Sequence, residues 1–266
     1  MTRRDLLASA VAIGVARVAS AKDKDPYAPF RMGIQSYSLR GLKTPGALAM
    51  TRRLGLSLWE AWEGHLPLGM DTVARSEARM TLRASRIQVG AFGVVGFGAD
   101  AESNRRKFEF ASAMGIPILS ADPSREALPS LEELTEEFGI RIAIHNHGPG
   151  SRYDKVADVE SALGATSNRI GACVDTGHFL RSGEDPVKAV ERLGRRVYGV
   201  HLKDVKDGKT FMELGKGDLD VAGVLRALAR SGFSDVLALE YEEHPDDPEP
   251  HLAACLAEVR RAVSRI

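Results

Sequence analysis

The 266-residue chain is short of several things, and each shortage excludes something. It has no excess of either charge: 36 Lys and Arg balance 36 Asp and Glu. A protein held mainly by nucleic-acid phosphates needs a basic surplus to displace counterions, so nucleic acid is not an expected partner. It has two cysteines, Cys173 and Cys255, far apart in sequence, which excludes a disulfide framework. Cys173 lies in the apolar run GACVD and reads as a small buried hydrophobe. No G-x-G-x-x-G follows the first apolar strand, so the dinucleotide fingerprint of an open doubly wound sheet is missing. After the N-terminus no apolar run is long enough to span a bilayer. There are no strict repeats or low-complexity tracts, and no composition break marks a second domain.

What is present begins at the N-terminus. MTRRDLLASAVAIGVARVASA pairs Arg3 and Arg4 with a weakly apolar stretch and ends in Ala19-Ser20-Ala21. That order resembles a twin-arginine export signal with an A-x-A cleavage site, although Arg17 puts a charge late in the apolar stretch. Residues 1–25 are therefore expected to be a signal, removed on export to the periplasm, and residues 26–266 the folded domain. Without a working signal the protein would stay cytoplasmic.

From Phe30 onward one pattern recurs: a short apolar strand, a turn, then an amphipathic helix. The strands are RMGIQSYS, LSLWEAW, QVGAFGVV, IPILSA, RIAIHN, IGACVDT, VYGVHLKD and VLALEYE. Helical periodicity lies between them, at Ala47–Leu54, Asp71–Ser85, Ala101–Met114, Ser130–Phe138, Lys155–Leu163, Pro186–Leu193 and Val221–Ser231, and His251–Ile266 closes the chain. Gly55, Gly115, Gly139 and Gly232 stand where helices should stop. Eight strand–helix units in about 240 residues predict an α/β single-domain (β/α)8 TIM barrel.

In such a barrel the chemistry sits at the C-terminal ends of the strands. Five of the seven histidines fall there: His65, His145, His147, His178 and His201. The same ends carry Glu60, Asp175, Lys203 and Glu240. Any one histidine alone is better read as structural, and Asp175 alone as a helix cap. Imidazole and carboxylate converging from separate strands instead suit a borderline divalent ion. Strand alternation turns Glu60 towards the barrel mouth and places Trp59 and Trp62 in the core. Lys203 is free to polarise an oxyanion, to pair with a substrate phosphate, or to form a salt bridge with Asp204 or another nearby carboxylate. Gly215-Lys216-Gly217 is too short for a nucleotide phosphate loop and reads as a tight loop bordering the pocket.

The order GIQSYSLR, WEAWEGH, HNHG, VDTGH, VHLKD, GKGDLD, LALEYE resembles the xylose isomerase-like TIM barrels, the sugar phosphate isomerase/epimerase superfamily. The resemblance covers nearly the whole chain after residue 25. It implies a metal held by residues at the ends of strands five to eight, here His145, Asp175, His201 and Glu240. The family usually has glutamate where this chain has His145. One carboxylate fewer makes the ligand charge minus two rather than minus three, leaving a stronger Lewis acid. It also removes half of the glutamate pair that 3-epimerases use as acid and base. The cofactor implied is one divalent ion, manganese first, with zinc, cobalt, iron or magnesium as alternatives. Glu240, His147 and Glu60 are the candidate catalytic groups, and His178, Lys203 and His65 the candidate substrate-binding groups.

The implied activity is metal-dependent isomerisation or epimerisation of a sugar, keto-sugar or polyol substrate through an enediolate. The alternative is a lyase, a dehydratase or deglycosidase, acting on a 3-keto sugar. An apurinic endonuclease would need further histidines after strands two and three. His65 is available, but QVGAFGVVGFG offers none. A non-catalytic sugar-binding barrel would bind sugar without metal. A homo-oligomer is left open.

Overall fold

The computed structural model describes residues 25–266. The expected export signal lies outside the described residues, apart from Asp25. Eight parallel strands close into a barrel: β1 (Arg31–Gln35), β2 (Leu58–Ala61), β3 (Gln88–Phe97), β4 (Ile118–Pro123), β5 (Arg141–His145), β6 (Ile170–Asp175), β7 (Val197–Leu202) and β10 (Val236–Leu239). Around the ring their order is β1-β10-β7-β6-β5-β4-β3-β2. The intervening β8 (Asp204–Lys206) and β9 (Thr210–Met212) form a separate antiparallel hairpin. The helices are α1 (Thr44–Arg53), α2 (Thr72–Ala84), α3 (Ala101–Met114), α4 (Leu128–Phe138), α5 (Val156–Leu163), α6 (Thr176–Arg181), α7 (Pro186–Leu193), α8 (Val221–Ser231) and α9 (Glu249–Val263). The eightfold barrel expected from the alternation is the fold observed.

Strand alternation divides the apolar residues into two cores. Leu58, Ala91, Ile118, Ala143, Cys173, Tyr198, Val236 and Ala238 pack inside the barrel. A larger set, including Ile34, Phe92, Ile142, Val174, Val200 and Leu237, fills the layer between barrel and helices. Strands buried on both faces read as continuous apolar runs, as parallel sheets do. Asp71, Asp100, Asp185 and Asp220 cap helices by accepting backbone N–H bonds. Gly115 and Gly139 end α3 and α4 with φ of 69° and 67°, a left-handed conformation that favours glycine.

Two features depart from the expected elements. Helix α6 follows β6 directly; six residues are too few to show a helical period, and its cap is Asp175, whose Oδ1 accepts the His178 N–H at 2.8 Å. The β8–β9 hairpin replaces a simple loop after VHLKD. Among the described residues no helix is long and apolar enough to cross a membrane.

Candidate metal centre

Parallel pairing puts the critical strand ends side by side. Asp175 on β6 is in register with His201 on β7, and His145 on β5 with Cys173 on β6. His145, Asp175, His201 and Glu240 are all buried, and one donor atom from each lies within 4.8 Å of the others. His145 Nε2 is 3.0 Å from His201 Nδ1 and 3.5 Å from Asp175 Oδ2. His201 Nδ1 is 3.0 Å from Glu240 Oε2 and 3.8 Å from Asp175 Oδ2.

The protonation pattern can be assigned from the network. His201 Nε2 lies 2.8 Å from Glu60 Oε1, and a carboxylate only accepts, so that nitrogen carries the proton. Burial works against a charge on His201, but Cys173, Glu60 and Glu240 raise the imidazole well above its usual range. Without an ion Nδ1 therefore also carries a proton, aimed at the Glu240 carboxylate, and ligation would displace it. Donors around one small divalent ion lie about this close together, and the cation nearest the Asp175 and Glu240 carboxylates among the described residues is the Lys203 ammonium. Asp175 Oδ2 and Glu240 Oε2 are buried and receive no well-formed hydrogen bond. Burial pushes the His145 imidazole down to about 4, with the Asp175 contact opposing this, so it stays neutral as ligation requires. Burial works against the Asp175 charge, but His178, Lys203 and His145 hold that carboxyl well below its usual range. Lys203 and His201 likewise outweigh burial and hold Glu240 well below its own. The residues therefore fit a divalent ion.

Two partners position this set. Asn146 makes a two-way clasp with the Asp175 backbone, donating to its carbonyl at 2.9 Å and accepting its N–H at 2.8 Å. Glu60 also accepts from Gln35 Nε2 at 3.1 Å, so it lies beneath His201 rather than on the cavity wall. A cavity of about 290 Å³ opens above the centre, with His145, His147, His178, Lys203, Glu240 and Glu242 on its wall. Gln35, Tyr37, Trp62, Gly93 and Val94 complete it. His147 Nδ1 is 3.4 Å from His145 Nδ1. Burial and the neighbouring His178 lower the His147 imidazole, while burial takes His178 itself down to about 4.

Other sequence candidates fall elsewhere. His65 is held at both ring nitrogens, by Ser36 Oγ and the Leu42 carbonyl, each at 3.0 Å, and does not line this cavity. Lys203 does not pair with Asp204. It faces Asp175, Glu240 and Glu242. Asp204 turns the other way and accepts N–H bonds from Val205, Gly215, Gly217 and Leu219. That corrects the reading of Gly215-Lys216-Gly217 as a pocket border: the loop wraps the Asp204 carboxylate. A Cβ on Gly217 would lie 2.2 Å from Asp204 Oδ1, which explains the glycine. Trp59 is in the core as expected, but Trp62 is corrected. It is half-buried on the cavity wall, edge-on to Tyr37 at 5.2 Å, because β2 ends at Ala61 and strand alternation no longer applies.

Residues not singled out from sequence also reach the site. Glu242 follows Glu240 by two, a same-face spacing that marks it in retrospect. Phe211, on the hairpin, lies 5.3 Å from Lys203 Nζ and 5.4 Å from the Arg181 guanidinium. No local pattern announces it.

Comparison with known proteins agrees with this architecture. The family described as Xylose isomerase-like TIM barrel matches residues 51–261. The rhizopine catabolism protein MocC of Rhizobium meliloti is 31% identical over 141 residues, 46% of this chain and 43% of that protein. An inosose dehydratase of Clostridium botulinum is 28% identical over 142 residues, 46% of this chain and 47% of that enzyme. The chain thus spans under half the length of these curated relatives. A putative uncharacterized protein from Parabacteroides distasonis superposes with TM-score 0.69 at 28% identity, covering 86% of this chain and 97% of that one. An L-ribulose 3-epimerase (TM-score 0.72, 16% identity, 88% and 95% covered) and a zinc-bound IOLI protein (0.71, 18%, 88% and 98%) share the fold. With 211 of its 266 residues matched, the chain belongs to the xylose isomerase-like TIM barrel family.

Proposed function

We propose that the chain is a metal-dependent enzyme that moves a proton next to the carbonyl of a sugar, keto-sugar or polyol ketone, as an isomerase or epimerase. The observation that carries the reading is the convergence of His145, Asp175, His201 and Glu240 beneath a cavity that also presents two further imidazoles. A divalent ion held there supplies Lewis acidity towards a carbonyl and an adjacent hydroxyl. Glu60 keeps the His201 proton on Nε2. His147, on the wall and outside the four-residue group, is the base for the proton on the carbon beside the carbonyl, with Glu240 a second proton acceptor in reach of the cavity. His178 and Glu242 meet hydroxyls, while Trp62 and Tyr37 supply an apolar wall. Returning the proton to the neighbouring carbon isomerises. Returning it from the opposite face epimerises.

A second reading, a lyase, shares the first step and then expels a β-oxygen. It is supported by the dehydratase name of a curated relative and by His145, which leaves the acid–base pair of a glutamate-based epimerase incomplete. One experiment tests both. Purified protein is analysed for metal and then incubated in deuterated water with ketoses, inososes and 3-keto sugars, with NMR following deuterium uptake and products. Deuterium in a ketose and its isomer supports the first reading, and loss of water or an aglycone the second. No bound metal together with no exchange on any of these would sink both.

A further inference from the structure

Lys203 stands where a cation is needed. Its Nζ is 2.9 Å from Asp175 Oδ2 and 2.9 Å from Glu240 Oε2, the same two oxygens that face the donor nitrogens of His145 and His201. The residue is 2% exposed, and the fold fixes its path. The Thr176 hydroxyl accepts the Lys203 N–H at 2.9 Å and donates to the Lys203 carbonyl at 2.7 Å. Gly177 leaves the space its stem needs: a Cβ there would lie 2.7 Å from Lys203 Cγ. The ammonium has a third acidic partner, Glu242, on the cavity wall. Among the described residues no other ammonium or guanidinium pairs with Asp175 or Glu240.

We infer that Lys203 is a built-in competitor for the metal position, and that Glu242 is the partner that draws it away. The inference rests on the metal reading above. Asp175 and Glu240 repel each other when left uncompensated, and the ammonium holds them together. An ion using the same two oxygens repels that ammonium, and two cations cannot both hold those contacts. Glu242 gives the lysine somewhere to stay paired, so metal uptake exchanges the Asp175 and Glu240 contacts of Lys203 for closer pairing with Glu242. The set point of metal affinity then belongs to the Lys203–Glu242 pair, although neither residue is a ligand.

The test is titration of chelator-stripped full-length protein with Mn²⁺, read by calorimetry and by competition with a chromophoric chelator. Lys203→Met should bind the ion on the order of tenfold tighter or more, because a unit charge beside the ligand oxygens is gone. Glu242→Gln should bind on the order of tenfold weaker, because the ammonium keeps only the ligand carboxylates. Arg181→Met is the comparison. Arg181 contacts His178 and Phe211 rather than the ligand oxygens, so its removal should shift affinity far less. A wild type that binds one ion, with Lys203→Met no tighter or Arg181→Met equal to it, overturns the inference and leaves the metal reading standing. Absence of binding in both wild type and folded Lys203→Met overturns both. Binding by Lys203→Met alone supports the inference strongly. If Lys203→Met does not fold, Glu242→Gln decides, and unchanged affinity there overturns the proposal.

Discussion

His201 holds its two ring nitrogens in opposite directions. Nε2 meets Glu60 and Nδ1 meets the ligand group. A carboxylate that fixes the tautomer of a ligating histidine tunes the metal without touching it. Glu60→Gln should therefore leave the fold intact and weaken metal affinity about 10- to 100-fold, read by titration. An unchanged affinity would return Glu60 to a role on substrate. The two strand-5 histidines should fail differently. His145→Ala should weaken metal binding sharply, since its Nε2 joins the donor set. His147→Gln should keep the metal and slow α-proton exchange with deuterated solvent on the order of 10²-fold, the effect of losing a general base. Metal titration and NMR on both variants separate the roles, and the opposite pattern would exchange them.

At the scale of elements, the segment after β7 shows how one residue organises a loop. The Asp204 carboxylate receives four backbone N–H bonds and ties the β8–β9 hairpin to the GKGDLD turn. The hairpin in turn carries Phe211 to Lys203 and Arg181. Asp204→Ala strands those donors. It should cost about 3 kcal/mol in urea unfolding, because hydrogen bonds to a buried charged group are each worth roughly 1.5–3 kcal/mol and water recovers part of the loss. A cost below about 1 kcal/mol would mean the turn holds its shape without the carboxylate. The alternation of strand and helix was plain in the sequence because apolar period and glycine stops repeat. The hairpin was not, because three-residue strands carry too little period to see, and α6 was hidden for the same reason.

At the scale of the molecule, the donors come from four strands, so the ion should bind the closed barrel and not the unfolded chain. Metal at about 100 times its Kd stabilises by about 2.7 kcal/mol. For a domain of this size each kcal/mol moves Tm by roughly 2–4 °C. Chelation should then lower Tm by about 5–10 °C, with full recovery on adding the ion, and a Tm indifferent to chelator would count against a structural grip on the metal. The expected export signal predicts a different measurement. Mass spectrometry of protein from its native host should find a chain beginning near Lys22, and a dominant species retaining Arg3 and Arg4 would contradict that expectation.

The sequence alone determined the barrel, because a short continuous apolar run followed by a period-3.6 helix, repeated eight times, has few other ways to bury both strand faces. It also placed His145, Asp175, His201 and Glu240 at strand ends, since side-chain alternation and strand length are local properties. Tertiary structure decided which of those groups meet. Register set Asp175 beside His201, the end of β2 released Trp62 from alternation to the cavity wall, and the path past Gly177 brought Lys203 to the carboxylates instead of to Asp204. Those outcomes depend on the relative heights of strands far apart in sequence and on close approach between backbones, and local periodicity carries no record of either.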